Sequence, residues 1–393
     1  MTRRIGFFGL LGSGNLGNDG SLDAVVGYLR ERHPEARLDF LCMGPERVRQ
    51  RYGTPATPLH WYDAQPGTAA GVLAAPRKLL GKLLDPFRTL AWVRRQDVVI
   101  VPGMGVLEAT LPLRPWGFPY ALFFLAVAAR LTGAKVALIS VGASTIRDPA
   151  TRWLVTSAAR LATYRSYRDE LSRQAMREMG VDVSRDPVYP DLAFALPVPP
   201  ATPETGAVGV GVMAYYGGND DRARAERLHR AYVETMRRFV RTLADGGRSV
   251  RLFTGDEVDE RVVAEILATP GLDTSRVTAE RPADLAALLT RMNEVDTVVA
   301  TRYHNVLSAL KLGKPTLSLG YAAKNDVLMA GMGLGEFCQP ARSVDFDRLL
   351  EQFTKLESRR EELTATLARR NREQTERLAE QFALLSKTLL EAP

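Results

Sequence analysis

The sequence predicts an α/β protein of two doubly wound domains in tandem, facing each other across a cleft and followed by long C-terminal helices. Three observations carry this expectation. Short β-branched or apolar runs alternate with segments of helical period over most of the 393 residues, as parallel βαβ units with helices on both faces require. The alternation breaks at Leu196–Gly206, where four prolines precede a glycine, and then begins again. The length also exceeds one ordinary domain of roughly 100–200 residues.

In the first half, strands are predicted at Arg4–Gly9, Leu38–Met43, Val98–Val101 and Lys135–Val141, with helices at Ser21–Arg32 and Tyr120–Thr132. A further helix, Ala75–Asp85, carries Leu79, Leu80, Leu83 and Leu84 on one face, with Arg77, Lys78 and Lys82 nearby. Pro86, which has no N–H to donate, is expected to end it. Phe87–Arg95 then adds Phe87, Leu90, Trp92 and more arginines. A basic amphipathic segment of this kind suits either peripheral contact with an anionic bilayer or ordinary packing against the first domain.

After the proline-rich stretch, Ala207–Ala214, Val250–Thr254, Thr297–Ala300 and Thr316–Leu319 read as strands. Helices are expected near Ala223–Asp245, Val258–Ala268 and Asn305–Leu312. From Phe346 to Leu390 the chain is charged and helical, with Leu349, Phe353, Leu356, Leu363 and Leu367 at helical spacing. The expected division is a first domain over 1–196, a linker over 197–206, a second domain over 207–345, and a helical segment over 346–393 packing back on the first domain.

Composition narrows the class. A hydrophobic fraction of 46% with 25% charged residues is that of a globular protein with a sizeable core. The formal charge of +7 and pI near 9.5 suit anionic partners such as phosphorylated small molecules. The arginines are scattered among acids rather than gathered in a stripe with aromatics, which argues against nucleic acid. Cys42 and Cys338 are far apart, beside apolar segments, and read as buried free thiols of a reducing compartment. The start of the chain runs directly into a strand, without the pattern of a signal peptide. The apolar run Pro119–Leu131 falls short of the roughly 20 residues that span a bilayer. A cytoplasmic protein, peripheral to a membrane at most, is expected.

Two stretches carry candidate chemistry. The first strand ends in Gly9-Leu-Leu-Gly12-Ser-Gly14-Asn15-Leu-Gly17-Asn18-Asp19-Gly20, and a helix follows. Gly12, Gly14 and Gly17 match the spacing of a dinucleotide turn, but Asp39 sits inside the next strand rather than at its end, and no nicotinamide chemistry is otherwise visible. Asn15, Asn18 and Asp19 are side chains that either bind sugar hydroxyls or stabilise the turn and cap the helix. The second stretch is Thr301-Arg302-Tyr-His304-Asn305, where a strand ends and a helix begins; Tyr321-Ala-Ala-Lys324 follows the next strand. Arg302, His304 and Lys324 therefore fall on adjacent loops at carboxyl ends of parallel strands. Arginine and lysine there can grip a phosphate and a carboxylate, arginine bidentately. His304, one of four histidines, is suited to proton transfer, or it is satisfied by backbone at the helix start. His33, His60 and His229 are weaker candidates, and no His/Cys cluster suggests a metal.

These stretches resemble the polysaccharide pyruvyl transferase family. The N-terminal glycine turn, Val101-Pro-Gly103-Met-Gly105, Ser166-Tyr-Arg168-Asp169-Glu-Leu-Ser172, Asp191-Leu-Ala-Phe194, and Arg302-Tyr-His304 with Tyr321-Ala-Ala-Lys324 are similar to family motifs. The resemblance implies two Rossmann-like domains of the GT-B kind, acceptor binding in the first and donor binding in the second. It implies transfer from phosphoenolpyruvate to sugar hydroxyls in cell-surface polysaccharide biosynthesis, usually as a pyruvate ketal, with no cofactor. By the same resemblance His304 would be the general acid; Arg302, Lys324 and Arg168 would be donor contacts; and Asn15, Asn18 and Asp19 would face a saccharide or lipid-linked saccharide. The family turn commonly reads N-L-G-D-E where this chain has Asn15-Leu-Gly-Asn18-Asp19. Two other classes fit the same pattern: a nucleotide-sugar-dependent GT-B glycosyltransferase and a non-catalytic sugar-binding protein.

Overall fold

The apolar runs that open each half lie at the centres of two parallel sheets. The computed structural model describes residues 3–64, 74–108 and 115–391. By their contacts the residues separate into two units. The first comprises Met1–Gly14, Ser21–Leu192 and Arg377–Pro393; the second comprises Asn15–Gly20 and Ala193–Glu376.

In the first unit the strands are β1 (Arg4–Gly9), β2 (Arg37–Cys42), β3 (Ala56–Pro58), β4 (Val98–Pro102), β5 (Lys135–Val141) and β6 (Tyr164–Tyr167). They pair in the order β3-β2-β1-β4-β5-β6, all parallel. The connecting helices are α1 (Leu16–Arg32, of which this unit holds Ser21 onward), α2 (Pro45–Tyr52), α3 (Ala74–Val93), α4 (Phe118–Thr132), α5 (Pro149–Leu161) and α6 (Glu170–Glu178). With helices on both faces, β4 is buried along its whole length, which is why it reads as an unbroken apolar run.

The second unit repeats the plan. Its strands are β7 (Val208–Gly211), β8 (Val250–Phe253), β9 (Val277–Ala279), β10 (Thr297–Ala300), β11 (Thr316–Gly320) and β12 (Cys338–Pro340). Their order is β12-β11-β10-β7-β8-β9. Its helices are α7 (Ala225–Asp245), α8 (Glu260–Leu267), α9 (Leu285–Met292), α10 (Tyr303–Lys311), α11 (Ala323–Gly331), α12 (Phe346–Ser358) and, as far as Glu376, α13 (Arg360–Leu385), whose remainder belongs to the first unit. Counted from its own first strand, each sheet runs 3-2-1-4-5-6. The strand order therefore reverses between β1 and β4 in one unit and between β7 and β10 in the other, and ligands of doubly wound folds bind outside such points.

Two local expectations are corrected. Helix α1 begins at Leu16 rather than Ser21, because Asn15 Oδ1 accepts from the N–H groups of Gly17 and Asn18, both at 3.2 Å, and caps it. Pro86 does not end its helix: α3 runs through it to Val93. A proline there leaves the carbonyl four residues back without its helical donor. That carbonyl, Lys82 O, instead accepts from the Tyr120 hydroxyl of α4 at 2.8 Å.

The end of the chain is stitched into the first unit. Gln381 accepts from Ser140 Oγ at 3.0 Å and donates to Ser166 Oγ at 2.7 Å, all three buried. The Phe382 ring stacks on Tyr28 at 4.6 Å, and Ser386 Oγ bonds both Tyr28 and His33 at 2.7 Å. Of the two cysteines, Cys42 is buried while Cys338 is only half-buried. Burial, with Asp326 beside it, pushes the Cys338 thiol up to about 12, so it stays protonated. Among the described residues no helix is long and apolar enough to cross a membrane.

Candidate functional site

Arg302 and His304 follow β10, at the reversal point of the second sheet, and Lys324 follows the neighbouring β11. Beyond Ala300, β10 gives way to Thr301 and then to Arg302, which is the N-cap of α10 in extended conformation. The Arg302 side chain makes no capping bond to this helix, whose start carries the positive end of the helix dipole. Tyr303 and His304 form the first two helical positions, with their rings 5.1 Å apart in an edge arrangement. Lys324, in the first turn of α11, places Nζ 5.7 Å from the Tyr303 ring centroid and 5.3 Å from that of Tyr321. Tyr303 thus touches both His304 and Lys324, holding the imidazole and the ammonium around one ring.

Arg302 is oriented by a residue the sequence did not suggest. Its Nε and Nη2 donate to the two oxygens of Asp259 at 2.9 and 2.7 Å. Asp259 is completely buried and also accepts from Ala214 N at 2.9 Å and Gly255 N at 3.2 Å. One carboxylate therefore ties together the loops that follow β7, β8 and β10. Burial works against the Arg302 charge, but the bidentate pair with Asp259 outweighs it and holds the guanidinium above its usual range. Nothing in the string Glu257-Val-Asp259 marks this role, which depends on folding.

Asn305 follows in the same helix. It is fully buried, and neither amide atom has a hydrogen-bond partner among the described residues. A Cβ on Gly211 would come within 2.8 Å of its Nδ2, and one on Gly255 within 3.3 Å of its Oδ1. These strand-end glycines leave the space that the amide fills.

Asn15–Gly20 belongs by contacts to this same unit. A Cβ on Gly17 would overlap the His304 imidazole, so the third glycine of the turn is required for close approach to the histidine. Asn15 is committed through Oδ1 to capping α1. Asn18 and Asp19 are half-buried in the first helical turn, where the Asp19 charge favours the positive helix end.

Arg168, the fourth candidate donor contact, belongs to the other unit. It lies in the first unit, just past β6, with its side chain 3% exposed. It pairs with Glu108 and lies 3.5 Å from Asp169 and 3.8 Å from Asp191. A Cβ on Gly142 would overlap the Glu108 carboxylate, and one on Gly105 would come within 2.7 Å of it. Three carboxylates thus surround Arg168 at the strand ends of its own unit. Among the described residues no three His, Cys, Asp or Glu side chains are grouped as metal ligands would be.

A family model described as polysaccharide pyruvyl transferase matches residues 15–322. No curated protein is significantly similar in sequence. Among solved structures, UDP-GlcNAc 2-epimerase from Neisseria meningitidis bound to UDP-GlcNAc superposes with a TM-score of 0.60 at 12% identity, covering 100% of both chains. Alr3699/HepE of Anabaena in complex with UDP gives 0.60 at 12% identity, over 99% of this chain and 100% of its own. MurG of Acinetobacter baumannii gives 0.55 at 15% identity, over 98% and 100%. At these identities the likeness is one of fold, and it places the chain in the GT-B class.

Proposed function

Because the chain belongs to the polysaccharide pyruvyl transferase family, we propose that it moves a pyruvyl unit from phosphoenolpyruvate to hydroxyls of a saccharide acceptor. The observation that supports this most is the grouping of Arg302 and His304 at the start of α10, with Lys324 against Tyr303. A donor carrying a phosphate and a carboxylate needs two cationic contacts and a proton source, and these residue types supply them.

In this reading Arg302, fixed by Asp259, and Lys324 hold the phosphate and carboxylate. His304 gives a proton to the donor's methylene carbon, which becomes a methyl group, and the adjacent carbon becomes oxocarbenium-like. A sugar hydroxyl attacks that carbon and loses its proton, and phosphate departs. A second hydroxyl closes the ketal. The helix start and the two cations stabilise the anionic groups while this charge shifts.

A nucleotide-sugar-dependent transferase is the second reading, favoured by neighbours of the same fold that hold UDP or UDP-GlcNAc. Phosphate release from phosphoenolpyruvate, measured over a panel of sugar acceptors, separates the two. Acceptor-dependent release that disappears in His304→Ala supports pyruvyl transfer. No release with any acceptor, together with thermal stabilisation by uridine diphosphate but not by phosphoenolpyruvate, moves the assignment to the second reading.

A further inference from the structure

The first unit carries an apolar face that its own core does not use. At 3.6 residues per turn, Leu79, Leu80, Leu83 and Phe87 fall on one side of α3. Their exposures are 66, 46, 61 and 72%. Trp116, just before α4, is 66% exposed and lies 6.5 Å, ring to ring, from Tyr120, the residue bonded to Lys82 O of α3. The opposite side of α3 is firmly anchored. Buried Asp85 accepts from His60 Nδ1 at 3.1 Å, from Trp61 N at 2.8 Å and from Arg88 at 3.0 Å. The leucines therefore face outward because the helix is fixed that way round, and the alternative of packing them against the first domain is set aside.

Charge identifies what this face fits. Arg77 is exposed at the edge of the apolar stripe nearest Leu80, and Arg94 and Arg95 are exposed just past the helix end. Asp85 is the helix's sole carboxylate, and it is buried and paired. A second copy of the same face would set cations against cations with no exposed acid on the helix to answer them. An apolar stripe bordered by cations, with a tryptophan alongside, matches an anionic interface whose interior is hydrocarbon. In a parallel sheet the helices run opposite to the strands, so the N-terminal turns of α3 lie at the carboxyl end of the first sheet, the end that bears the glycine turn after β1.

We propose that this face, formed by the outer side of α3 with Trp116, docks on the surface of an anionic lipid bilayer without crossing it. The inference stands apart from the transfer reaction, and its test reads binding alone. The full chain is sedimented with vesicles of phosphatidylcholine, and of phosphatidylcholine mixed with phosphatidylglycerol, at low and at physiological salt. The expected result is binding to the anionic vesicles only, weakened by salt, with a blue shift of tryptophan emission. A triple Leu79→Ser, Leu83→Ser, Phe87→Ser variant and a double Arg77→Glu, Arg94→Glu variant should each lose binding by about ten-fold or more. Both change exposed side chains, so unaltered melting temperatures would establish that they fold. The proposal is overturned if the wild type binds neutral and anionic vesicles alike or neither. It is equally overturned if the folded variants bind as the wild type does, or if the triple change only converts a dimer to a monomer.

Discussion

Asp259 meets Arg302 edge to edge, with Nε on Oδ2 at 2.9 Å and Nη2 on Oδ1 at 2.7 Å, while the same carboxylate accepts two backbone N–H groups from other loops. Removing its charge leaves a largely buried guanidinium without its counter-ion. Asp259→Asn is expected to lower stability by roughly 3 kcal/mol and to raise the KM for phosphoenolpyruvate, because Arg302 is no longer held. Urea unfolding and steady-state phosphate release check the two effects. An Asp259→Asn protein with wild-type stability and KM would remove Asp259 from the site.

The passage of α3 through Pro86 rests on the Tyr120 hydroxyl. Tyr120→Phe leaves Lys82 O without that donor and is expected to cost about 1 kcal/mol. In a Pro86→Ala background residue 86 regains an N–H for the same carbonyl, and the cost of Tyr120→Phe should fall toward zero. A double-mutant cycle by chemical unfolding measures the coupling. Equal costs in the two backgrounds would refute the substitution of one donor for another.

Lys311 supplies the pH dependence. It is 7% exposed, its Nζ donates to Phe194 O at 2.6 Å, and burial pulls it down from 10.5 to about 8. The unfolded chain then holds its proton more tightly than the folded one. Between about pH 8 and 10.5 the unfolded state binds more protons, so the Lys311 contribution to stability rises with pH; below pH 8 its penalty is complete. Relative to Lys311→Met, the wild type should gain up to about 3 kcal/mol between pH 7 and 10.5. Unfolding of both proteins at the two pH values tests this, and a difference that does not change with pH rejects it.

The central strands were legible because they are buried on both faces. Arg4–Gly9, Lys135–Val141 and Thr297–Ala300 emerge with the bounds their apolar runs suggest. The strands that escaped notice are β3, β6, β9 and β12, the four edges of the two sheets. Each has three or four residues, and sequences such as Tyr-Arg-Ser-Tyr and Cys-Gln-Pro show neither a long apolar run nor alternation. In the site, Arg302, His304 and Lys324 were visible because a strand-end position is a local property. Asp259 and the enclosure of Arg168 were not, since both depend on partners 43 and 60 residues distant.

The division of the chain has a consequence for its synthesis. Residues 377–391 supply Gln381 between Ser140 and Ser166, the Phe382 ring on Tyr28 and the Ser386 hydroxyl that Tyr28 and His33 share. They leave the ribosome only after the whole of the second unit. Until they emerge, the first unit waits without these partners. A chain interrupted near Glu376 would thus be left with its oldest part unfinished and its younger part complete.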